Sequence, residues 1–219
     1  MAMPTRYKTT SQPIASYDYN DIAEGTGVVT FYAGTAYDSS GNEDLILSSK
    51  TFTSQSKVQR ETGDTTTTEE TAAFVFEFDL TEFQFPRTLK GRAFLSCSRH
   101  FKNNTAGLHG FYLKAYIQKY DGSTATTVGS AREPTWTSTG NDENEKNLTL
   151  MINLPQTLFK VGEILRLRIT GNYLNAGGAS DKDFEVGCDP EDGDGTDLTP
   201  STDDSTTITK IKIPFMIQI

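Results

Sequence analysis

The stretch LPQTLFKVGEILRLRITG, residues 154–171, decides how the rest of the chain is read. After a Lys-Val-Gly-Glu turn, Leu165, Leu167 and Ile169 alternate with Arg166, Arg168 and Thr170. Successive side chains of a strand point to opposite faces, so the pattern predicts a strand with one dry and one wet side. Arg166 and Arg168 then point outward. In an acidic chain they are expected to meet carboxylates of a neighbouring strand or subunit rather than phosphate, which makes them a candidate assembly contact.

The same period of two recurs along the chain. In AAFVFEFDL, residues 72–80, Phe74, Phe76, Phe78 and Leu80 oppose Glu77 and Asp79. In HGFYLKAYIQKY, residues 109–120, Phe111, Leu113, Ala115 and Ile117 oppose Tyr112, Lys114, Tyr116 and Gln118. KNLTLMINL at 146–154 and TKIKIPFMIQI at 209–219 alternate in the same way. Further strands are read at GVVTFYAG, DLILSS, TLKGRAFLSCSRHF, EPTWTST and DFEVGC, with Gly/Asn/Asp/Ser turn clusters such as SSGNED, YDGST and TGNDEN between them. No segment keeps a helical period over three turns. Short strands separated by such turns predict an all-β chain, an antiparallel two-sheet β-sandwich of the jelly-roll kind, with another Greek-key sandwich left open. Residues 25–219 read as a single domain and residues 1–24 as an extended N-terminal arm. SKVQRETGDTTTTEETA, residues 56–72, reads as a long polar loop.

The chain has 219 residues, 35% hydrophobic and 11% aromatic, with a formal net charge of −9. That aromatic content belongs to a folded chain, and the charge on average repels phosphate and anionic lipid, so neither nucleic acid nor membrane is an expected partner. The opening MAMPTRYKTTSQPIASYDYND has no apolar h-region, and the expectation is synthesis in the cytoplasm without a signal peptide. Cys97 and Cys188 are the only cysteines. They read as two buried free thiols, with a single bridge between them geometrically open.

Candidate chemistry is sparse. CDPEDGDGTD, residues 188–197, offers Asp189, Glu191, Asp192, Asp194 and Asp197 as a candidate calcium loop, although its spacing departs from the EF-hand template and a solvated acidic loop accounts for it as well. Beyond calcium there, no cofactor is implied. His109 is in register with Phe111 and caps an apolar face, and His100 reads as lying at a strand end beside Lys102. There is no G-x-S-x-G, P-loop or G-x-G-x-x-G, so no enzyme is expected and no catalytic residue is named. Trp136, Tyr112, Tyr116 and Tyr120 could form an aromatic platform for a glycan, as in a receptor-binding jelly roll. Asn103 and Asn147 stand in sequons that read as chance.

FKVGEILRLRITG, preceded by LTLMINLPQT and followed by a GCDP turn and the closing KIKIPFMIQI, resembles jelly-roll virion-associated proteins of marine tailed phages and uncultured marine viruses. The opening IASYDYNDIAEGTGVVTFYAG and the RTLKG strand resemble the same group. The resemblance implies a capsid decoration, cement or auxiliary protein located in the virion. Its partners would be the major capsid protein and other virion structural proteins, and it would form a homo-oligomer, a trimer being one arrangement. A second likeness, F-x-x-G-x-x-L-x-L-x-I at residues 159–169, is to the jelly-roll appendages of some hydrolases and bears on fold alone.

Overall fold

A computed structural model describes residues 26–37, 43–50, 58–64, 71–103, 108–140, 142–175, 181–187 and 209–216. The arm at 1–24, Cys188 and the acidic loop with Asp189, Glu191, Asp192, Asp194 and Asp197 lie outside these residues. The described residues form twelve strands: β1 (Thr26–Tyr37), β2 (Glu43–Ser48), β3 (Val58–Asp64), β4 (Thr71–Asp79), β5 (Arg87–Asn103), β6 (His109–Tyr120), β7 (Ala125–Arg132), β8 (Trp136–Ser138), β9 (Asp142–Phe159), β10 (Ile164–Asn175), β11 (Asp181–Gly187) and β12 (Thr209–Met216). There is no helix among the described residues.

The chain is all-β, but its hydrogen bonding differs from the expected pair of separate sheets. The strands follow one continuous order, β3-β11-β5-β12-β1-β2-β4-β10-β6-β7, with β8 on β6 and β9 on β5. All pairings are antiparallel except the join between β2 and β4, a parallel contact at the single position Ile46↔Asp79. That join links two halves of the sheet, and the buried side chains of both belong to one cluster.

β5 organises one half. Its 17 residues pair with β9 along one edge, while the other edge is shared between β12, opposite Leu89 to Cys97, and β11, opposite Arg99 to Asn103. Gly91 makes this possible at a bulge: its φ of 120° suits glycine, and a Cβ would press on Pro214. The β6–β7 turn is held by Asp121, which accepts the amides of Thr124 and Ser123; those bonds keep its carboxyl below the usual range.

The alternation read from the sequence places the core. Phe76, Phe78, Leu113, Ile117, Leu165, Leu167, Ile169, Ile211 and Ile213 are all buried in one cluster. Phe184 of β11 reaches across it from the β5 half, with its ring 4.7 Å from Phe101, 5.7 Å from Phe76 and 6.1 Å from Phe74. The space it occupies is left by Gly171 of β10, whose added Cβ would lie 2.6 Å from the ring.

Two expectations are corrected and one strand is added. Residues 58–64, inside the predicted polar loop, form β3, which ends the strand order on β11; backbone pairing needs no apolar pattern, so none was there to read. β7 has exposed or half-exposed side chains throughout and lacked an apolar signal for the same reason. The predicted turn at residues 139–144 stops at Gly140, because residues 142–147 extend β9 alongside the long β5.

Gly129 of β7 comes so close to β9 that a Cβ would stand 2.5 Å from the Asn153 carbonyl oxygen and 2.9 Å from Ile152 Cγ2. Gly129→Ala must push the two strands apart. It is expected to cost about 1–3 kcal/mol, as overpacking does, read as a fall in the urea unfolding free energy.

Candidate functional site

The outer side of β4, β10 and β6 gathers most of the side chains that the sequence singles out. Register sets Arg166 between Asp79 and Gln118, and Arg168 between Glu77 and Tyr116. Arg166 donates from Nε and Nη2 to the two oxygens of Asp79 at 2.6 and 2.8 Å, and from Nη1 to Glu77 Oε2 at 2.7 Å. Its guanidinium also lies 3.9 Å from the Tyr120 ring centre. The Asp79 hydrogen bonds push the Arg166 guanidinium further up from its ordinary value. A fork-to-carboxylate pair of this geometry is among the stronger polar contacts a surface can hold.

Arg166 is therefore engaged inside the chain, with carboxylates of the neighbouring strand. Arg168 is held more loosely, 3.7 Å from Glu77 and 5.9 Å from the Tyr116 ring centre.

The four aromatics of the glycan platform do not share an open surface. Tyr112 is 1% exposed, with the Arg132 guanidinium 4.7 Å from its ring centre. Tyr116 has Lys114 over it at 4.9 Å, and Tyr120 has Arg166. Trp136 pairs with Phe111, the two rings tilted at 5.1 Å between centres, on the core side of β6, opposite in sense to the tyrosines. Alternation correctly put the three tyrosines on one side of β6. It could not tell that their ring faces would be covered by cations from the same and neighbouring strands.

The histidines are buried. His109 lies 6.4 Å from the Phe111 ring. His100 is not at a strand end, because β5 continues to Asn103; it sits between Glu185, 3.3 Å from Nδ1, and Glu143, 3.9 Å from Nε2. Among the described residues no three His, Cys, Asp or Glu side chains gather as metal ligands would. Cys97 is a free, buried thiol whose pKa is pushed up to about 12 by burial, which makes it a poor nucleophile.

The sequence reading missed a buried ion pair between the two halves. Arg99 donates through Nε and Nη2 to both oxygens of Glu133 at 2.9 and 2.8 Å, with both side chains 1% exposed. Arg99 Nη1 also donates to the Asn144 carbonyl and side-chain oxygens, and Glu133 Oε1 accepts the Leu113 amide at 2.9 Å. Lys146 lies 3.8 Å from Glu133. One signal was available: Arg99 has the parity of Cys97 and Phe101, which places a cation on the core side of its strand.

No family model matches the chain, and no curated protein matches it. Among solved structures, a selenomethionine-labelled α-amino acid ester hydrolase superposes with a TM-score of 0.51 at 9% identity, covering 85% of this chain and 36% of that one. A CocE/NonD family hydrolase from Staphylococcus aureus gives 0.49 at 12% identity, over 87% of this chain and 37% of that chain. A structure of infectious bursal disease virus, Gx strain, gives 0.24 at 12% identity, over 87% and 57%. The chain thus spans little more than a third of the hydrolases it matches. The likeness to the ester hydrolase concerns the β-fold alone.

Proposed function

We propose that this chain is a non-enzymatic structural protein of a virus or phage particle, a decoration, cement or other auxiliary virion protein built on a jelly roll. The strand order carries the reading. Eight strands pair as β1-β12-β5-β9 in one half and β4-β10-β6-β7 in the other. Numbered one to eight along the chain, these orders become 1-8-3-6 and 2-7-4-5, the interleaving expected of two Greek keys wound into a jelly roll. β2, β3, β8 and β11 are additions to that scheme.

Jelly rolls serve in viral shells and in lectins alike, so the fold by itself does not choose. The tyrosines favour the shell. A sugar stacks on an open ring face, whereas Tyr112 is buried and Tyr116 and Tyr120 lie against cations. The proposed partners are the major capsid protein and other virion proteins, engaged through residues 1–24 and the loops.

Co-expression with the structural genes that accompany its own should yield purified particles containing the protein in many copies by mass spectrometry. Its absence from such particles would end this reading. Binding on a glycan array that is lost in Tyr116→Ala and Trp136→Ala would transfer the assignment to a receptor-binding module.

A further inference from the structure

The connection from β4 to β5 and the turn from β9 to β10 lie side by side at one end of the sheet. Phe83 N donates to the Glu163 carbonyl and Gly162 N to the Phe83 carbonyl, both at 2.9 Å, while Arg87 stands opposite Phe159 and Thr88 opposite Leu158. Phe85, midway between Phe83 and Arg87, is thereby set against the Lys160–Val161 step. Phe85 is 62%, Val161 60% and Leu158 49% exposed. All of these positions belong to the described residues.

Single exposed apolar side chains are ordinary on a protein surface; three at adjoining turns are not. Among the described residues the other exposed large hydrophobics, Phe94, Leu108, Met151 and Leu174, are each less exposed than Phe85 and Val161. The tip is also held in one shape. Lys160 N donates to Glu163 Oε2 at 2.7 Å and Glu163 N to the Lys160 carbonyl at 3.2 Å, and Gly162 supplies the φ of 84° that the turn needs. The Phe83 ring packs 5.4 Å from Phe159 and 6.3 Å from Phe215, which ties the connection to the core. An apolar knob fixed in this way loses little freedom on docking.

We propose that this tip is the plug by which the chain seats in an apolar pocket of a neighbouring shell protein, with Phe85 and Val161 as its anchors. The inference rests on the particle reading above and names a surface through which the chain would be held there. Size chooses the occupant. At those fractions the three side chains expose roughly 300 Å² together, a size at which an apolar patch on a monomer is often functional but well below the ~800 Å² per partner of a stable complex.

Two copies meeting tip to tip set one protrusion against another and bury only part of that area, whereas a concave pocket surrounds the tip and buries nearly all of it. A bilayer fits less well, because the net charge of −9 repels anionic lipid and Glu82 stands exposed three residues before Phe85. A single plug of this size is modest in strength, and repetition over a shell multiplies it.

Particles made by co-expression with the accompanying structural genes test it, with copies per particle read by mass spectrometry. F85D/V161D is expected to lower the copy number about tenfold or more against wild type, as loss of central anchors does, with an unchanged unfolding midpoint because both side chains already face water. F85L/V161I should stay near the wild-type level, and so should L174D, which puts the same charge on an exposed leucine at the far end of β10. Particles that hold F85D/V161D at the wild-type level, or that lose L174D equally, overturn the inference and leave the particle reading in place; particles without the wild type end both. Self-association of the wild type in sedimentation velocity that F85D/V161D removes would assign the tip to a second copy and overturn the proposal. Flotation with phosphatidylcholine vesicles that the same variant loses would assign it to a bilayer and overturn it equally.

Discussion

Glu133→Ala is expected to destabilise the chain by about 3–5 kcal/mol, the cost of leaving a buried charge without its partner. Arg99 would keep its place on the core side of β5 with two donors facing a void, and the Leu113 amide would lose its acceptor. The measurement is the urea unfolding free energy of the variant against wild type. The double variant Arg99→Met/Glu133→Leu is expected to recover most of the loss, because replacing both charges removes the desolvation cost together with the attraction. A single variant within ~1 kcal/mol of wild type would show that water reaches the pair and that its burial is not felt.

Phe184→Ala is expected to cost a further large amount, about 3–5 kcal/mol, by opening a cavity where Phe74, Phe76 and Phe101 meet. The loss should come with weaker docking of β11, since Phe184 carries that short strand's ring contacts with Phe74 and Phe76. Hydrogen exchange at the amides of β11 reads this directly: they should exchange faster in the variant than those of β10. Phe184→Leu retains much of the volume and should cost less than half as much; equal losses for the two variants would mean that ring stacking, not cavity volume, sets the energy. In Phe184→Ala the space beside Gly171 widens further, so Gly171→Ala in that background should be less harmful than in wild type.

The two variants divide along what was legible beforehand. Phe184 lies in an apolar-polar alternation, DFEVGC, that reads as a strand with Phe184 and Val186 on its dry side. Its contacts with Phe74 and Phe76 join residues about 110 positions apart and depend on how the halves fold together. Arg99 and Glu133 are harder still, because a strand written with a cation at a core position is legible only once its partner strand is known. The tyrosines show the same limit: parity put Tyr112, Tyr116 and Tyr120 on one side of β6, yet Tyr112 is buried and its neighbours lie against cations.

Alternation with period two is a local property of the chain. It determined by itself that the protein is built of strands, which residues face the core, and that Arg166 and Arg168 point outward. Pairing between distant strands is not local, because backbone hydrogen bonds join any two strands whatever their side chains, and a one-residue slip changes every partner. Only the tertiary structure decided that β5 serves β9, β11 and β12 together, and that one bridge at Ile46 joins the two halves. It likewise decided that Arg166 meets its carboxylates within the chain.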